Sequence, residues 1–183
     1  MKVFLTGNLG YIGNVLSEML LNSGFNVTGY DNAWYPQDFI PKNTLVENQI
    51  IKDIRDITFN DLLDFDSVIH LAGMSNDPLG ELNPELTKSI NHLATVNLAK
   101  KSKEAGVKRF IFSSSCSNYG ANAELVNENS QLAPQTAYAK SKVDSEKEIL
   151  KLADDNFSPI ILRNATVYGI SPSLRMDLSV NNL

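Results

Sequence analysis

The stretch TGNLGYIG, residues 6–13, follows directly on the apolar run VFL, residues 3–5. Its three glycines recur every third residue, where a strand-like run gives way to a helical pattern. In such a turn each glycine has its own task. One permits the tight turn, one lets backbone approach a pyrophosphate, and one lets the helix pack close to the strand. The helix that starts there offers unpaired N–H groups and a partial positive charge to phosphates. Gly7, Gly10 and Gly13, with Asn8, Leu9, Tyr11 and Ile12 between them, are therefore candidate cofactor-binding residues. Asp31 ends the next strand-like run, about 18 residues past Gly13, near the spacing of a ribose-binding carboxylate. A carboxylate there suits free ribose hydroxyls, hence NAD, and repels the 2′-phosphate of NADP. The residues that follow, NAWYP from Asn32, contain no Lys or Arg to accommodate that phosphate.

Outward from this motif, apolar strand-like runs alternate with helical patterns. Residues 3–6 read as a buried strand. A helix over 12–21 carries Ile12, Val15, Leu16, Met19 and Leu20 on one stripe. Gly24 ends it, and further strands are expected over 25–31, 45–54, 67–73, 109–115 and 158–169. Pro84 opens a long helix to about Ala105, and a second long helix runs from Tyr138 to Ala153. Apolar strands separated by helices predict an α/β fold: a Rossmann-like, doubly wound parallel sheet with helices on both faces. Residues 32–43, with two prolines, read as a surface loop.

The totals bound the class. A chain of 183 residues, 43% hydrophobic and 20% charged, has the composition of an ordinary globular domain. A net charge of −5 argues against a nucleic-acid partner. The one basic run, KKSKEAGVKR (100–109), reads as the solvated end of a helix. A single cysteine, Cys116, excludes an internal disulfide and suits a reducing compartment. The start MKVFLTG turns polar too early for a signal peptide, and no apolar run approaches the roughly 20 residues of a membrane span. The expected location is the cytoplasm, with no membrane partner. His70 and His92 are too isolated for a metal site, so no metal is expected.

YAKSK, residues 138–142, sets Tyr138 and Lys142 one helical turn apart on the same face. An ammonium near a phenol lowers its pKa and makes it usable as an acid or base. Ser115 ends the fifth strand. In a parallel sheet the carboxyl ends of the strands form the binding crevice. Gly7, Asp31, Gly73 and Ser115 all fall at such ends, so they should converge on one edge.

The set TGNLGYIG, YD, DI, HLAG, SSSCSNYG, YAKSK and LRNATVYG resembles the extended short-chain dehydrogenase/reductase superfamily, in its NAD-dependent epimerase/dehydratase branch. That resemblance implies nucleotide-sugar substrates. It matches Asp53 and Ile54 to the pair beside the adenine, and Leu71, Ala72 and Gly73 to the segment along the cofactor. It implies a catalytic set of Ser115, Tyr138 and Lys142, with Lys142 also holding the nicotinamide ribose. Ser113 and Ser114 compete with Ser115, and Asn91 resembles a helix Asn that supports the site. The implied reaction is hydride and proton transfer at a sugar hydroxyl, giving an epimerase or simple oxidoreductase. The resemblance also implies a homodimer through the two long helices.

The chain departs from that pattern in three places. Dehydratases of the branch carry an Asp-Glu pair after the catalytic Ser/Thr, and here those positions are Cys116 and Ser117. Cys116 is expected to pack behind the site. A substrate-contacting Asn of many relatives falls on Thr166, with Asn164 nearby but out of register. Residues 1–170 are expected to form the cofactor-binding domain, and 171–183 the start of a truncated substrate-binding part. The alternatives are a non-catalytic NAD-binding or assembly module completed by another chain, and a nucleotide-sugar dehydratase. An NAD-binding fold with little turnover alone is the expectation.

Overall fold

The computed structural model describes residues 1–34, 46–122, 124–173, 175 and 181. Most of the loop expected over 32–43, and most of the segment past Ser173, lie outside the described residues. In chain order the elements are β1 (Lys2–Thr6), α1 (Tyr11–Asn22), β2 (Asn26–Asp31), β3 (Asn48–Ile51) and β4 (Ser67–His70). There follow α2 (Asp77–Leu82), α3 (Pro84–Thr87), a π-helical stretch Lys88–Ala94, α4 (Thr95–Glu104), β5 (Arg109–Ser115), α5 (Ala137–Leu150) and β6 (Ser158–Asn164).

The strands form one sheet in the order β3-β2-β1-β4-β5-β6, every pair parallel. The order reverses between β1 and β4, the place where an open α/β sheet leaves a crevice beyond its strand ends. Thr6 of β1 pairs with Tyr30 of β2 and with His70 of β4, so the three ends stand level. This is the Rossmann-like fold expected from the alternation of strands and helices.

Successive side chains of β1 point to opposite faces. Phe4 enters the larger core with Val68, Phe110 and Phe112, covered by Ile90, Ala94, Leu98 and Ile149 of the helical layer. Leu5 enters a smaller core with Val27 and Val46, covered by Leu16 and Leu20 of α1. On β6 only Ile161 packs into the larger core. Ile160 and Leu162, on the other face, remain 39% and 45% exposed.

The stripe expected on α1 is corrected in part. Leu16 and Leu20 pack on the smaller core, but Val15 and Met19 face solvent, and the fully buried residues are Gly13, Asn14 and Ser17. Small residues let the helix lie close to the strand. Asn14 donates to the carbonyls of Leu9 and Gly10, and the Ser17 hydroxyl donates to the Gly13 carbonyl. The long helix expected from Pro84 is helical throughout, but its middle is π-helical. The apolar residues of the two long helices are spent mostly on the core: Ile90, Val96, Val143 and Ile149 are buried, while Leu93 and Leu150 are exposed.

Candidate cofactor and catalytic site

A cleft of about 330 Å³ opens at the strand ends around the sheet's reversal point. At one end it is lined by Gly7, Leu9, Gly10, Tyr11, Ile12 and Gly13, then by Asp31, Asn32, Asp53 and Ile54. Leu71, Ala72, Gly73 and Met74 form its middle, and Ser113, Tyr138 and Lys142 its other end. Of the four strand-end residues expected to converge, Gly7, Asp31 and Gly73 line this cleft, whereas Ser115 does not and Ser113 of the same strand does.

The glycine loop is tight for a geometric reason. Gly7 has φ +72°, a left-handed conformation, and a Cβ there would stand 2.6 Å from the Ala72 nitrogen. A Cβ on Gly13 would overlap the Gly7 carbonyl oxygen. Gly10 stands at the N-cap of α1 with no side chain to offer, and the first turn carries no acidic residue, so the turn's N–H groups face the cleft uncapped. Asn8 is the member of the loop that does not line the cleft. Its amide is buried against Gln49 of β3, donating at 2.6 Å and accepting at 3.2 Å.

Asp31 accepts from the backbone N–H of Leu9 at 3.2 Å and of Ala33 at 2.9 Å. Burial raises its carboxyl above the usual range, and the bonds from Ala33 and Leu9 work against that rise. Asp53 caps a short 3-10 turn and is clasped by Arg55, Nη2 to Oδ2 at 2.7 Å, which holds its carboxyl below the usual range. Lys52 also lines this end, 3.5 Å from Asp61. The sequence reading passed over Lys52 because it looked for cations only after Asp31.

At the other end, Lys142 is buried and donates from Nζ to the Ser113 carbonyl at 2.7 Å, with the Phe112 ring 4.7 Å away. Burial pulls its pKa down to about 8, against an opposing pull from Glu146. Tyr138 stands one turn earlier, its ring centre 5.7 Å from the ammonium. The expected lowering of the phenol by Lys142 is corrected. Burial raises the Tyr138 pKa, with Asp77 adding to the rise, and the hydrogen bond with Ser115 draws it back. Nζ is aimed at the Ser113 carbonyl rather than at the phenol. Ser115 ends β5 and also accepts from the Ser117 N–H at 3.1 Å. Cys116, expected behind the site, is exposed, because a 3-10 turn begins there and swings it outward.

Asn91 lies in the π-helical stretch. Its side chain accepts from the Met74 N–H at 2.8 Å and donates to the Met74 carbonyl at 3.0 Å. Its own carbonyl accepts from the Ser145 hydroxyl of α5 at 3.0 Å. A π-turn frees such a carbonyl from the helix ladder. His70 is buried between Thr6 and Thr95, with a hydroxyl against each ring nitrogen. Asn164 donates to the Ser113 hydroxyl at 3.0 Å. Among the described residues no cluster of His, Cys, Asp or Glu could hold a metal, and no helix is long and apolar enough to cross a membrane.

The model of the NAD dependent epimerase/dehydratase family matches residues 3–181. The chain belongs to that family. Among the curated relatives of this epimerase/dehydratase chain is an uncharacterized UDP-glucose epimerase of Bacillus subtilis (strain 168), 31% identical, with 100% of this chain aligned to 61% of that protein. Among solved structures, an NAD dependent NDP-hexosamine 5,6-dehydratase of tunicamycin biosynthesis superposes with a TM-score of 0.89 at 29% identity, covering 100% of this chain and 59% of the other. The enzyme MoeE5, solved with UDP-glucuronic acid and NAD, gives 0.87 at 30% identity, with coverages of 100% and 60%. The chain thus spans about three fifths of the length of these family members. Asp77, whose charge acts on Tyr138, Glu146, whose charge acts on Lys142, and Arg163, paired with Glu146, were not among the residues expected from the sequence. Glu146 falls one further turn along from Lys142, a spacing that puts it on the same face but does not show that it is buried.

Proposed function

We propose that this chain is the cofactor-binding and catalytic part of an NAD-dependent nucleotide-sugar epimerase or oxidoreductase. The observation that carries the reading is a single cleft with a bare glycine loop and a carboxylate at one end and Tyr138 and Lys142 at the other. The fit to a dinucleotide is supported by the first turn of α1, which lines the cleft without a capping side chain or an acidic residue. The first turn of α1 would hold the pyrophosphate and Asp31 the adenosine ribose. Asp53 and Ile54 would flank the adenine, and Lys142 would hold the second ribose. NAD, when bound, supplies the acceptor and donor of hydride.

The chain's own groups handle the proton. Ser115 Oγ would hydrogen-bond the reacting sugar oxygen, and Tyr138 Oη would take its proton and return it. The hydrogen bond with Ser115 is what draws the Tyr138 phenol back against the rise that burial imposes. Cys116 and Ser117 supply neither the acid nor the base of an elimination, which favours epimerisation or simple oxidation over dehydration. The helices bearing Leu93 and Leu150 are the proposed homodimer face, and residues past 170 begin the substrate-binding part.

A second reading, a module completed by further polypeptide, is supported by Ile160 and Leu162 on the uncovered face of β6. Calorimetric titration with NAD, with NADP in parallel, tests the first. Saturable NAD binding with weaker NADP binding is expected. Absence of binding by either would overturn the cofactor assignment, and robust epimerisation by the 183-residue chain alone would refute the need for completion.

A further inference from the structure

Tyr138, Lys142 and Glu146 stand at i, i+4 and i+8 on α5, so one stripe of the helix carries all three. Glu146 is only 2% exposed. A carboxylate that deep has to be paired and hydrogen-bonded to stay charged. Glu146 is both. It accepts from the Ser114 hydroxyl and from the Asn118 amide, the latter at 2.7 Å. Arg163 of β6 donates to it from Nε and, at 2.8 Å, from Nη2. Arg163 is itself anchored to the Tyr119 hydroxyl and the Glu128 carbonyl, both at 3.1 Å.

Adjacent residues of β5 therefore bind adjacent turns of α5. The Ser113 carbonyl takes Lys142, and the Ser114 hydroxyl takes Glu146. A buried ion pair is a poor way to gain stability, since apolar side chains of the same volume often do as well or better. What apolar side chains would not supply is a negative charge one turn behind a buried ammonium.

We propose that Glu146 is a positioning residue of this site: its carboxylate, fixed by Ser114, Asn118 and Arg163, is the counter-charge that keeps the buried Lys142 an ammonium. This rests on the reading of Tyr138 and Lys142 as the proton-handling pair. Of the acids on the elements packed around this pair, Asp77 of α2 acts on Tyr138, and Glu146 is the anion that acts on Lys142. Tyr138 shares its helix and is a phenol. From β4 comes His70, neutral in its buried place; from β5 come the Phe112 ring and the Ser113 carbonyl. From β6 comes Arg163, a cation bound to the Glu146 carboxylate. Removing the Glu146 charge withdraws an attraction for the ammonium, while removing the Arg163 charge withdraws a repulsion. The two changes must move Lys142 in opposite directions, which a loss of packing would not do.

The test is an NMR titration of Lys142 in the cofactor-free chain labelled at lysine Cε, the resonance assigned with Lys142→Arg. Because no cofactor is present, its outcome is independent of whether the NAD assignment holds. In the unsubstituted chain the midpoint is expected at about 8. Glu146→Gln is expected to lower it by about one pH unit, a tenfold change in proton affinity. Arg163→Gln is expected to raise it. Asp144→Asn, which removes an exposed acid of the same helix, is expected to shift it by less than about a third of a unit. Should Glu146→Gln fail to fold, the double variant Glu146→Gln/Arg163→Met leaves no unpaired charge, and its midpoint is expected between those of Glu146→Gln and the unsubstituted chain. A midpoint that moves no further in Glu146→Gln, or in the double variant, than in Asp144→Asn overturns the proposal. So does a shift of the same sign in Glu146→Gln and Arg163→Gln.

Discussion

The imidazole of His70, at the end of β4, meets the hydroxyl of Thr6, at the end of β1, across 2.6 Å. Its other ring nitrogen meets the Thr95 hydroxyl of α4 at 2.7 Å. The same Thr6 oxygen accepts from the Ala72 N–H at 3.3 Å, so the ring steadies the floor of the cleft. Burial, with a smaller push from Lys142, lowers the His70 pKa to about 3.

Acid sensitivity follows from that depression. Between its ordinary value of 6.5 and about 3, His70 binds a proton only in the unfolded chain. Stability is therefore complete above pH 6.5 and is lost as pH falls through that window, by up to about 1.4 kcal/mol per pH unit. Denaturant melts of the unsubstituted chain and of His70→Gln, run from pH 7.5 to 4.5, check this. The stability difference between the two is expected to shrink with acidification. A difference that stays constant across the range would clear His70 of the effect.

Alanine at the glycines of the loop should grade by the space each leaves. At Gly13 a methyl group overlaps the Gly7 carbonyl, which is backbone and cannot move aside. At Gly10 the nearest atom is the same oxygen, at 3.3 Å. Gly13→Ala is expected to cost about 2–4 kcal/mol of stability and to remove NAD binding, and Gly10→Ala less than about 1 kcal/mol. Thermal melts with parallel NAD titrations read both effects. Equal losses at the two positions would contradict the close approach of α1 to the loop.

Asp31→Asn keeps an acceptor for Leu9 or Ala33 but removes the charge facing the cleft. NAD affinity is expected to fall about tenfold, the equivalent of one charge-assisted hydrogen bond. NADP affinity is expected to hold or rise, narrowing the preference. Calorimetry with both dinucleotides measures the ratio, and an unaltered ratio would place the ribose elsewhere. Because burial raises the Asp31 carboxyl, NAD affinity should also begin to fall at a higher pH than an exposed aspartate would give.

Strand positions were legible in the sequence because each apolar run ended in a glycine, an acid or a serine at the same edge of the sheet. The places of Tyr138 and Lys142 at the cleft were legible from one helical spacing. The packing face of α1 was legible only in part: Leu16 and Leu20 pack as the stripe requires, Val15 and Met19 do not. Periodicity weighs large apolar residues, whereas this helix approaches the sheet through Gly13, Asn14 and Ser17. Glu146 and Arg163 were missed because charged residues read as solvent-facing until their partners are seen. The exposure of Cys116 depends on a single 3-10 turn, and the π-helical stretch on how one carbonyl finds a partner outside its own helix. Neither leaves a pattern in residue types.

Asn91 grips Met74 with its side chain and Ser145 with its main chain, through three hydrogen bonds in all. The loop that floors the cleft and the helix that bears Tyr138 consequently share one axle. Neither wall can tilt without carrying the other or shearing that joint. Whatever gives way to admit a ligand must then be sought at the opposite rim, where Asn32 and Trp34 stand on the far side from this joint.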